Sequence, residues 1–388
     1  MKRAGALAAL VLSLAAGTAT ADDARPAFTD AEILGKPPPY IRIESATLRF
    51  THFDQTGAGF QSRAGRRGGP GDEAVLVEQP QLEVVAKQGD RVTHRLWIPI
   101  DIVTAASPDA VDVVSSSSRQ NEAASVDWTT TYRHDAATSA SMRAGMHNEE
   151  NWRSWNVGFG VSRSFAEDNT VIEASVNQIA DWFDKYTLAG KHDGHTARSS
   201  FNASAGVTQI LSPTTIAHVD YGVTIQRGQL SNGWNIVPLT TGDVALEVLP
   251  ASRVRHALVG RVAQWLPWDG AAHGSYRFYV DDWGIRAHTM EIELYQRFSR
   301  TIYARLNYRF HTQIAPGFFH TSVAPTFELA TADSDLASFD AQTVGLKVVG
   351  EVPLRFAKSL RFDVGAERYF RSNDLRVSVF SCGLGLLF

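Results

Sequence analysis

The sequence predicts an all-β protein, a transmembrane antiparallel up-and-down β-barrel of about sixteen strands, and three observations predict it. Runs of about ten to fourteen residues alternate apolar and polar side chains with period two. The connections between them alternate short and long. The final segment, LRVSVFSCGLGLLF, keeps strand alternation to Phe388. A tilted strand needs about 9 to 11 residues to cross a bilayer, whereas strands of soluble sheets cluster near about 5 or 6. Fourteen or eighteen strands also satisfy the pattern, because any even number leaves both ends on one side.

At the N-terminus, Lys2 and Arg3 precede an apolar run from Ala4 to Ala16, and Ala19-Thr20-Ala21 follows as a small-residue cleavage site. Residues 1–21 are therefore expected to be a signal peptide, with maturation at Asp22. Residues 22–39 are expected to be a periplasmic segment, with Pro37-Pro38-Pro39 as an extended spacer, and residues 40–388 the barrel. That segment is too short for a folded plug, which argues against energy-coupled uptake. No Cys lies near the cleavage point, and Cys382 stands alone, so neither a lipoprotein anchor nor an intramolecular disulfide is expected. Beyond the signal no apolar run approaches the roughly 18 to 20 residues of a spanning helix. The net charge of -4 and the lack of a basic patch with interleaved aromatics give no nucleic-acid partner. No cofactor is expected.

Ile302, Ala304, Leu306, Tyr308 and Phe310 alternate with Tyr303, Arg305, Asn307, Arg309 and His311. Ala217, Val219, Tyr221, Val223 and Ile225 alternate with His218, Asp220, Gly222, Thr224 and Gln226. Short turns are read at residues 87–90, 134–136, 166–169, 211–213, 267–270, 299–300 and near Pro353. Longer loops are read at residues 54–72, 105–118, 181–195, 227–250 and 314–338, the last a candidate plug carrying Phe318, Phe319, His320 and Phe327. The first two strands, near 40–51 and 74–86, alternate least cleanly. Trp128, Tyr132, Trp152, Trp155, Trp182, Phe183, Trp265, Trp268, Trp283 and Phe298 gather near strand ends, where interfacial girdles lie.

Phe380, Cys382, Leu384, Leu386 and Phe388 share one face of the last strand. This resembles the C-terminal strand of bacterial outer-membrane barrels, which implies Phe380, Leu384, Leu386 and Phe388 as the signal read by the barrel-assembly machinery. A second resemblance is carried by LPASRVRHALVGR, HGSYRFYVDDWGIRAHTMEIEL and YARLNYRFHTQIAPGFF between Leu249 and Phe319, with VDVVSSSS earlier. These are similar to an uncharacterised family of outer-membrane barrels known only as a domain of unknown function. The resemblance implies the outer membrane of a Gram-negative bacterium, with lipid and lipopolysaccharide around the barrel, and brings no activity. Relatives encoded near a small lipoprotein and a flavin-attaching enzyme imply a periplasmic lipoprotein or redox partner.

One face of the strands in this region collects the charge. His273, Ser275, Arg277, Tyr279 and Asp281 are followed by Glu291, Glu293, Tyr295 and Arg297, then by Tyr303, Arg305, Arg309 and His311. Lys347, Glu351, Arg361, Asp363 and Glu367 extend the set. Lys or Arg facing hydrocarbon at mid-bilayer costs about 2 to 4 kcal/mol, so this face is assigned to the lumen. His273, Arg277, Tyr279, Asp281, Glu291, Glu293, Arg297, Arg305, Arg309, His311, Lys347, Asp363 and Glu367 are the selectivity candidates. Two readings stay open: a polar constriction that selects solutes by charge, or a salt-bridge network that fills and stiffens the barrel.

An enzyme is not expected. Gln229-Leu230-Ser231-Asn232-Gly233 is similar to the H-x-S-N segment of outer-membrane acyl hydrolases, but Gln229 stands where the general base belongs, and His218 lies several residues down the strand. Turn chemistry explains Ser231-Asn232-Gly233. His192-Asp193-Gly194-His195 would need a further ligand to hold a metal, so no metal site is assigned. Gly65-Arg66-Arg67-Gly68-Gly69-Pro70-Gly71 reads as a solvated flexible loop in preference to a contact with lipopolysaccharide phosphates. The sequence points first to a pore or translocation channel for small polar or charged solutes. A closed scaffolding barrel that docks periplasmic lipoprotein or redox partners is the alternative.

Overall fold

A computed structural model describes residues 40–57, 74–105, 121–188, 191–231 and 235–388. The expected signal peptide, the proline spacer and the Gly65–Gly71 loop lie outside the described residues. The first nine strands are β1 (Ile41–Gly57), β2 (Val75–Gln88), β3 (Val92–Ala105), β4 (Asn121–Arg133), β5 (Thr138–Glu149), β6 (Trp152–Phe165), β7 (Thr170–Tyr186), β8 (His192–Ser212) and β9 (Thr215–Gly228). Two three-residue strands, β10 (Ile236–Pro238) and β11 (Val244–Leu246), form a separate hairpin in the next connection. The barrel resumes with β12 (Ser252–Leu266), β13 (Gly270–Asp281), β14 (Arg286–Arg297), β15 (Ile302–Ile314), β16 (Phe339–Pro353), β17 (Ser359–Arg371) and β18 (Leu375–Leu387).

Each long strand pairs antiparallel with its neighbours in chain order, and β18 pairs with β1 to close a barrel of sixteen. The closing register runs from Ser45↔Leu387 to Gly57↔Leu375, so the last strand completes both its own hydrogen bonds and those of the first. Beyond β18, the Phe388 amide donates to the Glu44 carbonyl at 3.0 Å.

Strand lengths of 12 to 21 residues exceed what a globular sheet uses. The outward face is apolar and unpacked by protein: Val161 is 59% exposed, Ile292 57% and Val364 61%. Such a band is unfavourable in water, and its continuity around the wall marks a hydrocarbon-facing surface. In β1 and β2 the alternation weakens near the long-loop end, where His52 and Glu78 face outward together, with Nδ1 and Oε1 2.7 Å apart.

The expected turns all join strands, but the loop read at 181–195 is mostly strand. There β7 and β8 form a long hairpin with a register shift at Asp184/Tyr186. The aromatic girdle is also smaller than the sequence indicates. Trp128, Tyr132, Trp155 and Trp182 take the outward parity. Trp152 and Phe183 face the lumen and stack at 4.3 Å and 9°. Trp265 takes the lumen parity at the short-turn mouth, and Trp283 is buried beneath the Arg253 guanidinium at 4.2 Å.

Candidate lumen site

The cross-strand register puts every selectivity candidate on the inward face. His273 lies opposite Glu293, Arg277 opposite Thr289, Glu291 opposite Arg309, and Arg305 between Tyr295 and Lys347. Period two does this work: a single residue of slip would turn the whole set into lipid.

Most of these groups are paired. Arg305 reaches Glu293 at 3.1 Å and Glu367 at 3.2 Å, tying β14, β15 and β17 together. Arg309 meets Glu291 at 3.1 Å. Asp363 takes Arg49 at 3.2 Å, and Lys347 Nζ stands 2.7 Å from its other oxygen as an ion contact without hydrogen-bond alignment. Toward the long-loop end, Arg253 donates to Asp281 at 2.6 and 2.9 Å, and Tyr279 donates to the same carboxylate at 2.9 Å. His273 lies 3.5 Å from Glu293, and the His311 ring bonds Thr289 at 2.8 Å. The network extends past the candidates to Asp127–Arg143, Asp181–Arg198 and Glu83–Arg95 on earlier strands. Spacing alone does not show those pairs, because each joins charges on neighbouring strands whose register the sequence does not give.

Glycines make some of these contacts possible. Asp127, Gly145 and Asn156 form one transverse row, and the Asn156 amide reaches Asp127 at 3.3 Å across the glycine. A side chain at Gly145 would occupy that path.

Arg261, Arg277 and Arg297 face the lumen without an ion pair among the described residues. Arg277 lies 5.8 Å above the Tyr279 ring and faces a wall recess of about 290 Å³. Opposite it the recess is lined by Ser175, Asn177, Asn202, Ser204 and Thr224, with Arg255 beside it. The buried Asn177 Oδ1 has no donor. A fixed cation faces hydroxyls and amides there, the composition of a site for anionic or hydroxyl-bearing solutes.

At the long-loop mouth, residues 315–338 cross inside the wall. Their 3-10 turn, Ser334–Leu336, is held by the lumen-facing Arg371, which donates to Ser334 Oγ at 2.6 Å and pairs with Asp335. Gln313 donates to the carbonyls of Asp335 and Ala337 at 2.7 and 2.8 Å. Phe318 meets Trp283 edge-on at 5.3 Å. Val323, Ala330 and Ala332 then pack on Val237 of the β10–β11 hairpin, so the two long connections share a small apolar cluster.

Ser231 is buried and accepts the Leu249 amide at 3.0 Å, while Asn232 and Gly233 lie outside the described residues. His192 and His195 open β8 and cluster with Asp184, which takes the place the sequence offered to Asp193. Asp184 already lies 2.6 Å from His195 Nδ1.

A family model described as "Protein of unknown function (DUF3570)" matches residues 115–379. No curated protein matches the chain. Among solved structures, a bacterial polysaccharide outer membrane secretin is 8% identical, with 88% of this chain and 98% of that chain covered and a TM-score of 0.48. A BenF-like porin from Pseudomonas fluorescens Pf-5 is 8% identical over 90% of this chain and 99% of that one, with a TM-score of 0.47. A Pseudomonas aeruginosa FadL homologue is 11% identical over 90% and 91%, with a TM-score of 0.44. At these values the likeness carries no argument about activity.

Proposed function

The chain belongs to this DUF3570 family, which brings kinship without an activity, and from the lumen itself we propose a channel for small polar or charged solutes. The observation that carries this reading is the division of labour among the lumen arginines. Arg305, Arg309 and Arg253 are held by carboxylates and stiffen the wall, whereas Arg277 faces a polar recess with no counter-charge of its own. A purely structural network has no use for an unpaired cation beside an unmet acceptor. Sixteen strands enclose a lumen wide enough in principle for water. The short-turn end is read as periplasmic and the long-loop end as external, in the outer membrane after signal cleavage near Ala21. Assembly is read as recognition of the outward-facing Phe380, Leu384 and Leu386 together with Phe388.

The test is single-channel conductance of the refolded barrel in a planar bilayer under a salt gradient. Steady steps whose anion permeability falls in Arg277→Ala support the channel. Silence from a heat-modifiable, correctly folded barrel sinks it and leaves the scaffold that docks a periplasmic lipoprotein or redox partner.

A further inference from the structure

We propose that the lumen wall carries a divalent-cation site made by Glu173, His218 and Asp220. Glu173 of β7, Gly206 of β8 and Asp220 of β9 form one transverse row, and His218 lies two residues along β9, opposite Thr208. Strands are spaced about 4.8 Å apart, so short side chains on alternate strands converge most readily across a residue without one. The same device operates at two other rows. Arg49 and Asp363 flank Gly383 and form an ion pair at 3.2 Å. Asp127 and Asn156 flank Gly145 and share a hydrogen bond at 3.3 Å. Across Gly206 the flanking groups are instead two carboxylates of the same sign.

The convergence is close. Ligand atoms of Glu173, His218 and Asp220 all lie within 4.8 Å of one another. A Cβ placed on Gly206 would stand 3.1 Å from Asp220 Oδ2, 3.1 Å from His218 Cε1 and 3.2 Å from Glu173 Oε1. Among the described residues neither carboxylate makes an ion pair or hydrogen bond. The lumen carboxylates of Asp127, Asp181, Asp281 and Glu291, by contrast, each hold an arginine. Arg261, opposite His218 on β12, is the nearest basic position in register and forms no such pair. Two unneutralised carboxylates brought together repel unless a cation or a shared proton comes between them.

His218 supplies a further sign. Its Nδ1 lies 2.8 Å from Thr208 Oγ1; in the tautomer whose Nδ1–H donates to that hydroxyl, the ring is fixed and Nε2 is the binding nitrogen, the outer-shell support that metal-ligating histidines use. One imidazole and two carboxylates suit a divalent transition-metal ion such as Zn²⁺ or Mn²⁺, with the lumen side open for water or a solute. The site needs only lumen water at the wall, so it stands whether or not the barrel conducts.

Zn²⁺ titration by calorimetry tests it, using chelator-stripped full-length barrel in detergent with His192→Ala and His195→Ala to remove the Asp184 cluster. Saturable binding of one Zn²⁺ per chain is expected, weakened at least about tenfold by His218→Ala and by Glu173→Gln. Glu173 is exposed to the lumen, so its variant preserves packing, and heat modifiability of each variant confirms folding. Absence of saturable binding, or affinity unchanged in either folded variant, overturns the site.

Discussion

Arg49 on the first strand and Asp363 on the seventeenth meet at 3.2 Å across Gly383 of the strand between them, so the barrel's closing seam is locked by an ion pair that skips one strand. The Asp363 side chain is 6% exposed and also faces Lys347 at 2.7 Å, which extends the lock to β16. Replacing it with Asn leaves two cations without their counter-charge. Lumen water screens Arg49 and Lys347 in part, so Asp363→Asn is expected to cost about 1 to 3 kcal/mol. The check is the urea midpoint of the folded band on a heat-modifiability gel. An unchanged midpoint would show that the seam is held by backbone pairing alone.

Arg305 stands between Glu293 and Glu367, and Arg305→Ala therefore uncovers two lumen carboxylates at once. In the proposed channel, selectivity is expected to move toward cations by roughly twofold or more. Reversal potentials under a salt gradient read the shift. A value equal to the parent's would place the conduction path away from this band.

The strand alternation made the fold legible, because the bilayer imposes one chemistry outside the wall and another within. Tyr303, Arg305, Asn307, Arg309 and His311 could be assigned to one face from spacing alone, and the register bears this out. The partners of those groups were not legible. Pairing Arg305 with Glu367 requires knowing that β15, β16 and β17 are neighbours and that Glu367 lies opposite Gly345. Gly206 was equally silent, since a glycine in a strand announces nothing until its cross-strand neighbours are known. Trp152 and Trp283 misled for the opposite reason: a tryptophan near a strand end fits an interfacial girdle, yet parity and a buried turn take these two inside.

The short-turn end offers a pH test. Asp135 caps the β4–β5 turn, its Oδ1 accepting the amides of Ala137 at 2.8 Å and Thr138 at 2.7 Å. These backbone donors favour the ionised form and hold the carboxyl below its usual range. The folded value lies below the unfolded one, so the contribution to stability is present above about pH 4 and fades as pH falls through the lowered value. Asp135→Asn is expected to lower the urea midpoint slightly at pH 7, with the gap closing on acidification. A gap that stays constant from neutral to acidic pH would refute a charge-dependent cap.

Arg371 is the clamp on the mouth segment. It is buried at 6% exposure, bonds Ser334 Oγ at 2.6 Å and Asn373 Oδ1 at 2.5 Å, pairs with Asp335, and lies 4.4 Å above the Phe339 ring. Breaking a buried ion pair from one side costs about 3 to 5 kcal/mol. The 3-10 turn it holds adds no rung to the barrel, so the cost falls on the local attachment rather than on the strands. Arg371→Ala is therefore expected to speed protease cleavage within residues 315–338 by about tenfold or more, while the barrel stays heat-modifiable. Arg371→Lys, which keeps the charge and loses the planar fork, should fall between the two. Cleavage at the parental rate in both variants would mean that the apolar cluster of Val237, Val323, Ala330 and Ala332 holds the segment unaided.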